Sequence, residues 1–190
     1  PADVRQYARL QRVGDELECP GVLEYWKSSP YALNFMEGYK LKRELTKAIE
    51  LDASTPELLS TLSDDDGLLL PWPKVERFGA VPPANPRLTA LFDATVEQDA
   101  WKLVWVPPSL PYYAPAGAYG DERLQRFTKR LVFSSWHVVP RAVSLLLSYE
   151  AERRMARALD PKARNTQQAR ENRGGLLTFT RTDGRLTGMP

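Results

Sequence analysis

Lys129-Arg130-Leu131-Val132-Phe133-Ser134-Ser135-Trp136 is the stretch on which the reading of this chain turns. Leu131 to Ser134 is an apolar run of strand length, broken by hydroxyls and a tryptophan. Pro140-Arg141-Ala142-Val143 then opens the strongest helical pattern in the chain, running to about Leu159 with Val139, Val143, Leu146 and Leu147 on its inward side. A buried strand that ends in a Ser-Ser turn and feeds a helix places hydroxyls and free backbone N–H groups at the carboxyl edge of a sheet, where phosphates bind. The same arrangement is purely structural in most proteins with alternating strands and helices.

Working upstream, Lys102-Leu103-Val104-Trp105-Val106, closed by Pro107-Pro108, predicts a second buried strand. A loop of prolines, glycines and tyrosines follows to Gly120, then a short helix over 121–128. Downstream, residues 160–175 are polar and basic, and Leu176 to Thr180 predicts a third strand before the turn Thr182-Asp183-Gly184. Strands of this kind alternating with helices predict parallel α/β layering in the second half.

The first half reads as helical. Asp3 suits the cap of a helix of about 14 residues, with Gln6 as its capping-box partner and Val4, Tyr7, Ala8, Val13 and Leu17 near one face. Pro20 fits the start of a short helix over 22–27. A longer pattern runs from Tyr31 to Leu51, where Gly38 predicts a bend. Ser54-Thr55-Pro56-Glu57 starts another helix, which Asp64-Asp65-Asp66-Gly67 closes. A short helix is expected over 73–78, and Asn85-Pro86 opens one carrying Leu88, Leu91, Phe92 and Thr95 at helical spacing. The division falls at residues 1–84 and 85–190.

A chain of 190 residues with 43% hydrophobic and 26% charged side chains has enough apolar mass for a core. Its one cysteine, Cys19, excludes an internal disulfide framework, and with one histidine a dedicated zinc site is not expected. No run of about 18 apolar residues is present, so no membrane partner is expected and the chain reads as cytoplasmic. Without an initiator Met it also reads as a segment of something longer. The net charge of +2 hides an asymmetry: residues 1–100 carry 11 basic and 17 acidic side chains, and residues 101–190 carry 15 and 7. Such a layout permits an anionic partner for the second half, or docking of the halves on each other.

The usual catalytic signatures are absent: there is neither a phosphate loop of the G-x-x-x-x-G-K-[ST] type nor a G-x-G-x-x-G turn. The Asp64–Asp66 run reads as a solvated helix end rather than a cation site. His137 reads as a structural histidine, since no nucleophile is placed beside it. Tyr25, Trp26, Tyr31 and Phe35, interleaved with Lys27, suit either base stacking or the packing of two helices. The same aromatic block offers an alternative function, a non-catalytic module that captures a protein partner around Trp26.

The Leu131–Trp136 stretch resembles the fourth motif of superfamily-two helicases and Snf-type DNA translocases, and the Asn85-Pro86-Arg87-Leu88 helix resembles the element leading into their second lobe. With the blocks Tyr25–Tyr31, Pro107–Tyr113 and Ser148–Arg154, the chain is similar to a group of large bacterial helicase-like proteins, some linked with defence against foreign DNA. The resemblance implies a helical inter-lobe segment over 1–84 and a partial RecA-like parallel sheet with flanking helices over 85–190. It also implies a part of an ATP-dependent motor, with nucleic acid, in particular DNA, and the missing first lobe as partners. ATP and Mg²⁺ would serve the intact protein. None of the ATP-site motifs matches here, so no cofactor belongs to this segment and it would not hydrolyse ATP alone.

Within that reading Ser134 and Ser135 contact the nucleic-acid backbone, supported by Lys129, Arg130 and Arg141. The densest basic stretch runs from Arg153 and Arg154 through Arg157, Lys162, Arg164 and Arg170 to Arg173. It reads equally as an electrostatic track along a strand and as a helix end whose arginines complement the helix dipole.

Overall fold

Helix α1, Ala2–Glu16, buries Gln6, Leu10, Val13 and Gly14, an i, i+4, i+7, i+8 stripe. The face expected at Val4 and Ala8 is exposed, and Gln6 lies in the interior rather than at the helix start. Gly14 sets how closely the next helix, α2 (Val22–Ser28), approaches. A Cβ at Gly14 would come within 2.3 Å of Val22 Cγ2. The single long helix expected from Tyr31 is two, α3 (Ala32–Phe35) and α4 (Lys40–Glu50). Gly38 adopts φ +80° between them, a left-handed conformation that ends a helical path instead of bending it. These coordinates come from a computed structural model that describes residues 2–51, 62, 67–103, 105–110, 112–172, 178–182 and 185–189. The helix start at Ser54–Glu57 and the Asp64–Asp66 run lie outside the described residues.

Short helix α5 (Trp72–Glu76) and helix α6 (Pro86–Asp93) follow. Asn85 caps α6 as its sequence suggests, its Oδ1 accepting from the N–H groups of Arg87 (2.9 Å) and Leu88 (3.2 Å). A one-turn helix α7 (Glu122–Gln125) precedes the long α8, Val138–Leu159. Pro140 sits in the first turn of α8, where its missing N–H leaves no helical bond unmade. A short α9, Gln167–Glu171, lies within the stretch expected to be loop. Among the described residues no helix is long and apolar enough to cross a membrane.

The expected parallel sheet is not there. Among the described residues the one sheet is an antiparallel hairpin of β1 (Thr178–Thr182) and β2 (Arg185–Met189), with Thr182 paired to Arg185 and Thr178 to Met189. The run at 176–180 enters β1 at Thr178 and turns back on itself; Asp183 and Gly184 of its turn lie outside the described residues. Residues 102–106 hold the end of a 3₁₀ turn, Ala100–Lys102, and then irregular chain, with Trp105 exposed and Val104 outside the described residues. Leu131 to Ser134 forms no regular element, is exposed, and pairs with no strand among the described residues. An apolar run becomes a strand only where neighbours supply cross-strand partners, and among the described residues none flanks either run. The RecA-like lobe is therefore corrected to a helical assembly with a terminal hairpin.

Two apolar clusters hold that assembly. One joins α1, α2 and α4 through Leu10, Val13, Val22, Leu41 and Leu45 with Cys19, Leu33, Leu62 and Leu68. The other joins Tyr31, Phe35, Met36, Val75 and Val81 to Leu88, Phe92, Val138, Ala142 and Leu146. It draws on both sides of the 84/85 division, so α6 and α8 close over the same core as α3. Leu10, Leu33 and Leu41 are wholly buried, worth about 1.5–3 kcal/mol each. Long-range hydrogen bonds tie the irregular stretches to the helices. Tyr31 Oη donates to Pro82 O at 2.6 Å and Tyr149 Oη to Gly79 O at 2.7 Å, while Asn165 N donates to Glu76 O at 2.8 Å.

Candidate nucleic-acid interface

The Phe-Ser-Ser-Trp corner is held by its tryptophan. Trp136 stacks on Tyr39 (ring centroids 6.0 Å apart) and tilts against Tyr25 at 6.5 Å, so the corner is anchored to α2 and to the turn before α4. Its backbone N–H donates to Ser134 Oγ at 3.1 Å, which fixes the turn and leaves the Ser134 hydroxyl hydrogen free to donate outward. Tyr25 also meets Tyr39 edge-on, Trp26 meets Tyr7 edge-on at 5.8 Å, and Tyr31 is buried. The block thus packs helices together, while Trp26 also lines a pocket.

The anchored segment runs beside α6 and the first turns of α8 and leaves a groove of about 870 Å³ between them. Leu88, Leu91, Val139 and Val143 form its apolar part. Its polar part combines Arg130, Ser134 and Ser135 with Lys27 from the last turn of α2 and Arg87 from the first turn of α6. Lys27, Arg87 and Arg130 are exposed, and among the described residues no salt bridge holds any of them. Glu24 is the acid in the same lining. Three cations and two hydroxyls facing one groove can each meet a phosphate oxygen without reading a base.

The remaining candidates are elsewhere. The ammonium of Lys129 lies 5.5 Å from the ring centroid of Trp105, and Lys129 lines a neighbouring depression that shares Arg130, Leu131 and Val132 with the groove. Arg141 is exposed on α8 and does not line the groove. Arg153 and Arg154 are taken up inside the fold. Arg153 donates from Nε to Glu150 Oε2 and from Nη2 to Oε1, both at 2.6 Å. Arg154 donates from Nε to Glu150 Oε1 at 2.8 Å and from Nη1 to Val96 O at 3.1 Å, and it pairs with Glu97. Arg157 donates to the carbonyls of Phe78, Arg77 and Pro161. Burial pushes the Glu150 carboxyl up, but the guanidiniums of Arg153 and Arg154 outweigh it and hold the group below the usual glutamate range. The first arginines of this stretch are thus engaged by Glu150 and Glu97, an arrangement that neither the strand track nor the helix dipole describes.

Sequence reasoning missed Lys27 and Arg87 as groove residues because sixty positions separate them. Each stands in a block the sequence marks out, one among aromatics and one just inside a helix cap, but only the folded chain brings both to the lining of one groove. His137 is exposed at the start of α8 and makes no capping bond with its side chain. Among the described residues no group of three or more His, Cys, Asp and Glu side chains is placed to hold a metal ion.

No family model, no curated protein and no solved structure matches this chain.

Proposed function

We propose that this chain is a helical module that binds the backbone of nucleic acid along the groove between α6, α8 and the Lys129–Trp136 segment, without catalysis of its own. The observation that carries this reading is the convergence of Lys27, Arg87 and Arg130, none of them salt-bridged among the described residues, on a groove that also presents Ser134 and Ser135. A protein that needed these charges for its own stability would pair them, as it does around Glu150. The motor reading drew its support from a parallel sheet edge at Phe133–Trp136, and it loses that support with the sheet. The nucleic-acid contact does not need the sheet, because it depends on side chains and not on strand topology.

Binding through three cations is sequence-indifferent and sensitive to salt. Releasing about three counterions gives a slope of about −2 to −3 in log K against log salt, a loss of about 20- to 40-fold between 50 and 200 mM. Fluorescence anisotropy with labelled oligonucleotides of unrelated sequence measures both properties. Affinities that match across sequences and fall in that range support the groove. Absence of binding at 50 mM salt rejects it.

A further inference from the structure

A second, narrower pocket of about 360 Å³ opens beside the groove, and five residues line both: Lys27, Ser29, Pro30, Asn85 and Arg87. Two of the three groove cations therefore stand where one cavity passes into the other. Leu10 and Leu68 give the second pocket an apolar lining, and the indole of Trp26 walls it. Gln6 lines it as well, more than nine-tenths buried. Its Oε1 accepts from Trp26 Nε1 at 3.4 Å, while its amide nitrogen has no partner among the described residues. That nitrogen keeps some contact with solvent, so a ligand entering the pocket can accept from it.

We infer that this pocket takes one unpaired base of a single-stranded nucleic acid whose backbone lies along the groove. The inference rests on the groove reading above and adds to it the class of strand that is bound. The volume lies near the lower end of the range for small-molecule sites, about 300–1,000 Å³, which suits one base and its sugar. The Trp26 ring supplies a stacking surface that every base can use. The Gln6 amide donates to a ring nitrogen or carbonyl, acceptors that all four bases carry, so the pocket selects unpaired over paired strands without selecting sequence. Lys27 and Arg87 at the shared rim hold the phosphates on either side of the inserted nucleotide. A duplex keeps its bases stacked, so it reaches the groove and not the pocket.

The test compares a labelled twelve-nucleotide single strand with the duplex of the same sequence, binding to the full chain by anisotropy at 50 mM salt. Gln6→Met keeps the side-chain length and removes the donor. It is expected to weaken the single strand about five- to tenfold and to leave the duplex unchanged. In the unsubstituted protein the indole N–H resonance of Trp26, assigned with Trp26→Phe, is expected to shift on adding the strand and to stay fixed on adding the duplex. This second readout stands even where Gln6→Met fails to fold. Equal binding of strand and duplex with an unmoved Trp26 resonance overturns the pocket and leaves the groove standing. So does a folded Gln6→Met protein of full single-strand affinity. Failure of both nucleic acids to bind overturns the groove and the pocket together.

Discussion

The chain has two basic regions that look alike as sequence and differ as structure. On α8, Arg153, Arg154 and Arg157 are spent inward, on Glu150, on Glu97 and on the backbone carbonyls of residues 77, 78, 96 and 161. Around the groove, Lys27, Arg87 and Arg130 have hydrophobic neighbours below them and solvent in front. An arginine that satisfies a buried carboxylate stabilises the fold and is not available to a ligand. One that faces an open groove contributes little to stability and retains its charge for binding. Counting basic residues cannot separate these cases; asking which carboxylate each one meets can.

The contrast is broken most severely at Glu150. Glu150→Ala leaves two guanidiniums without their shared partner, and breaking a buried pair from one side costs about 3–5 kcal/mol. At this size that lowers the melting temperature by about 6–20 °C in a thermal unfolding experiment. The same group sets an acid limit. Its folded-state pKa is depressed, so its stabilising effect is complete above the ordinary glutamate range and is lost as pH falls through the lowered value. Unfolding midpoints followed from pH 6 to pH 2 are expected to fall in the unsubstituted protein, and to fall less in Glu150→Ala. A flat, shared profile would show that the pair contributes nothing.

Tyr149, one residue before Glu150, has the opposite sign. Burial raises its hydroxyl to about 12, so the folded state prefers the protonated form. Its stabilising effect is complete below the ordinary tyrosine pKa of about 10 and is lost as pH rises toward 12. Tyr149→Phe is expected to reduce the loss of stability over pH 10–12 in denaturant titrations. It also removes the bond to Gly79 O, which lowers stability at neutral pH. On the groove side, Asn85→Ala removes the cap of α6 and costs about 1 kcal/mol, read as a shift in the urea midpoint. Because Asn85 also stands at the rim shared by the groove and the pocket, its loss sharpens the contrast by linking a fold residue to the site.

The helical elements were legible where local chemistry decides them. Asn85-Pro86 opens α6 through bonds within three residues, as its cap implies, while α2 starts two residues past Pro20 behind an uncapped Gly21 and α8 starts at Val138, two residues before Pro140. The strands over 102–106 and 131–134 were misread for a physical reason. A strand is a relation between segments, and the apolar residues that suggest it do not state whether a neighbour exists. Leu131, Val132 and Phe133 fit a buried strand by composition and are exposed, with no strand beside them among the described residues. The helix penalty of Gly38 suggests a bend, whereas its access to positive φ lets it separate two helices. Ser134 and Ser135 stand out between an apolar run and a helix, and Arg130 just before that run; all three line the groove, although the sheet edge that marked them is absent among the described residues. Lys27 and Arg87 were not legible as groove residues, and neither were the roles of Arg153 and Arg154, because Arg154 also depends on Val96 and Glu97, more than fifty positions away.

The central claim is that binding runs through the unpaired cations of the groove and not through the arginines of α8. The most direct test is the salt dependence of single-strand affinity in the Arg87→Ala, Arg130→Ala double variant. As surface substitutions away from structural contacts, these changes are expected to leave stability within about 0.5 kcal/mol. The log–log slope should fall from about −2 to about −0.7, with affinity at 50 mM salt reduced more than tenfold. An unchanged slope and unchanged affinity in the folded double variant would contradict the account.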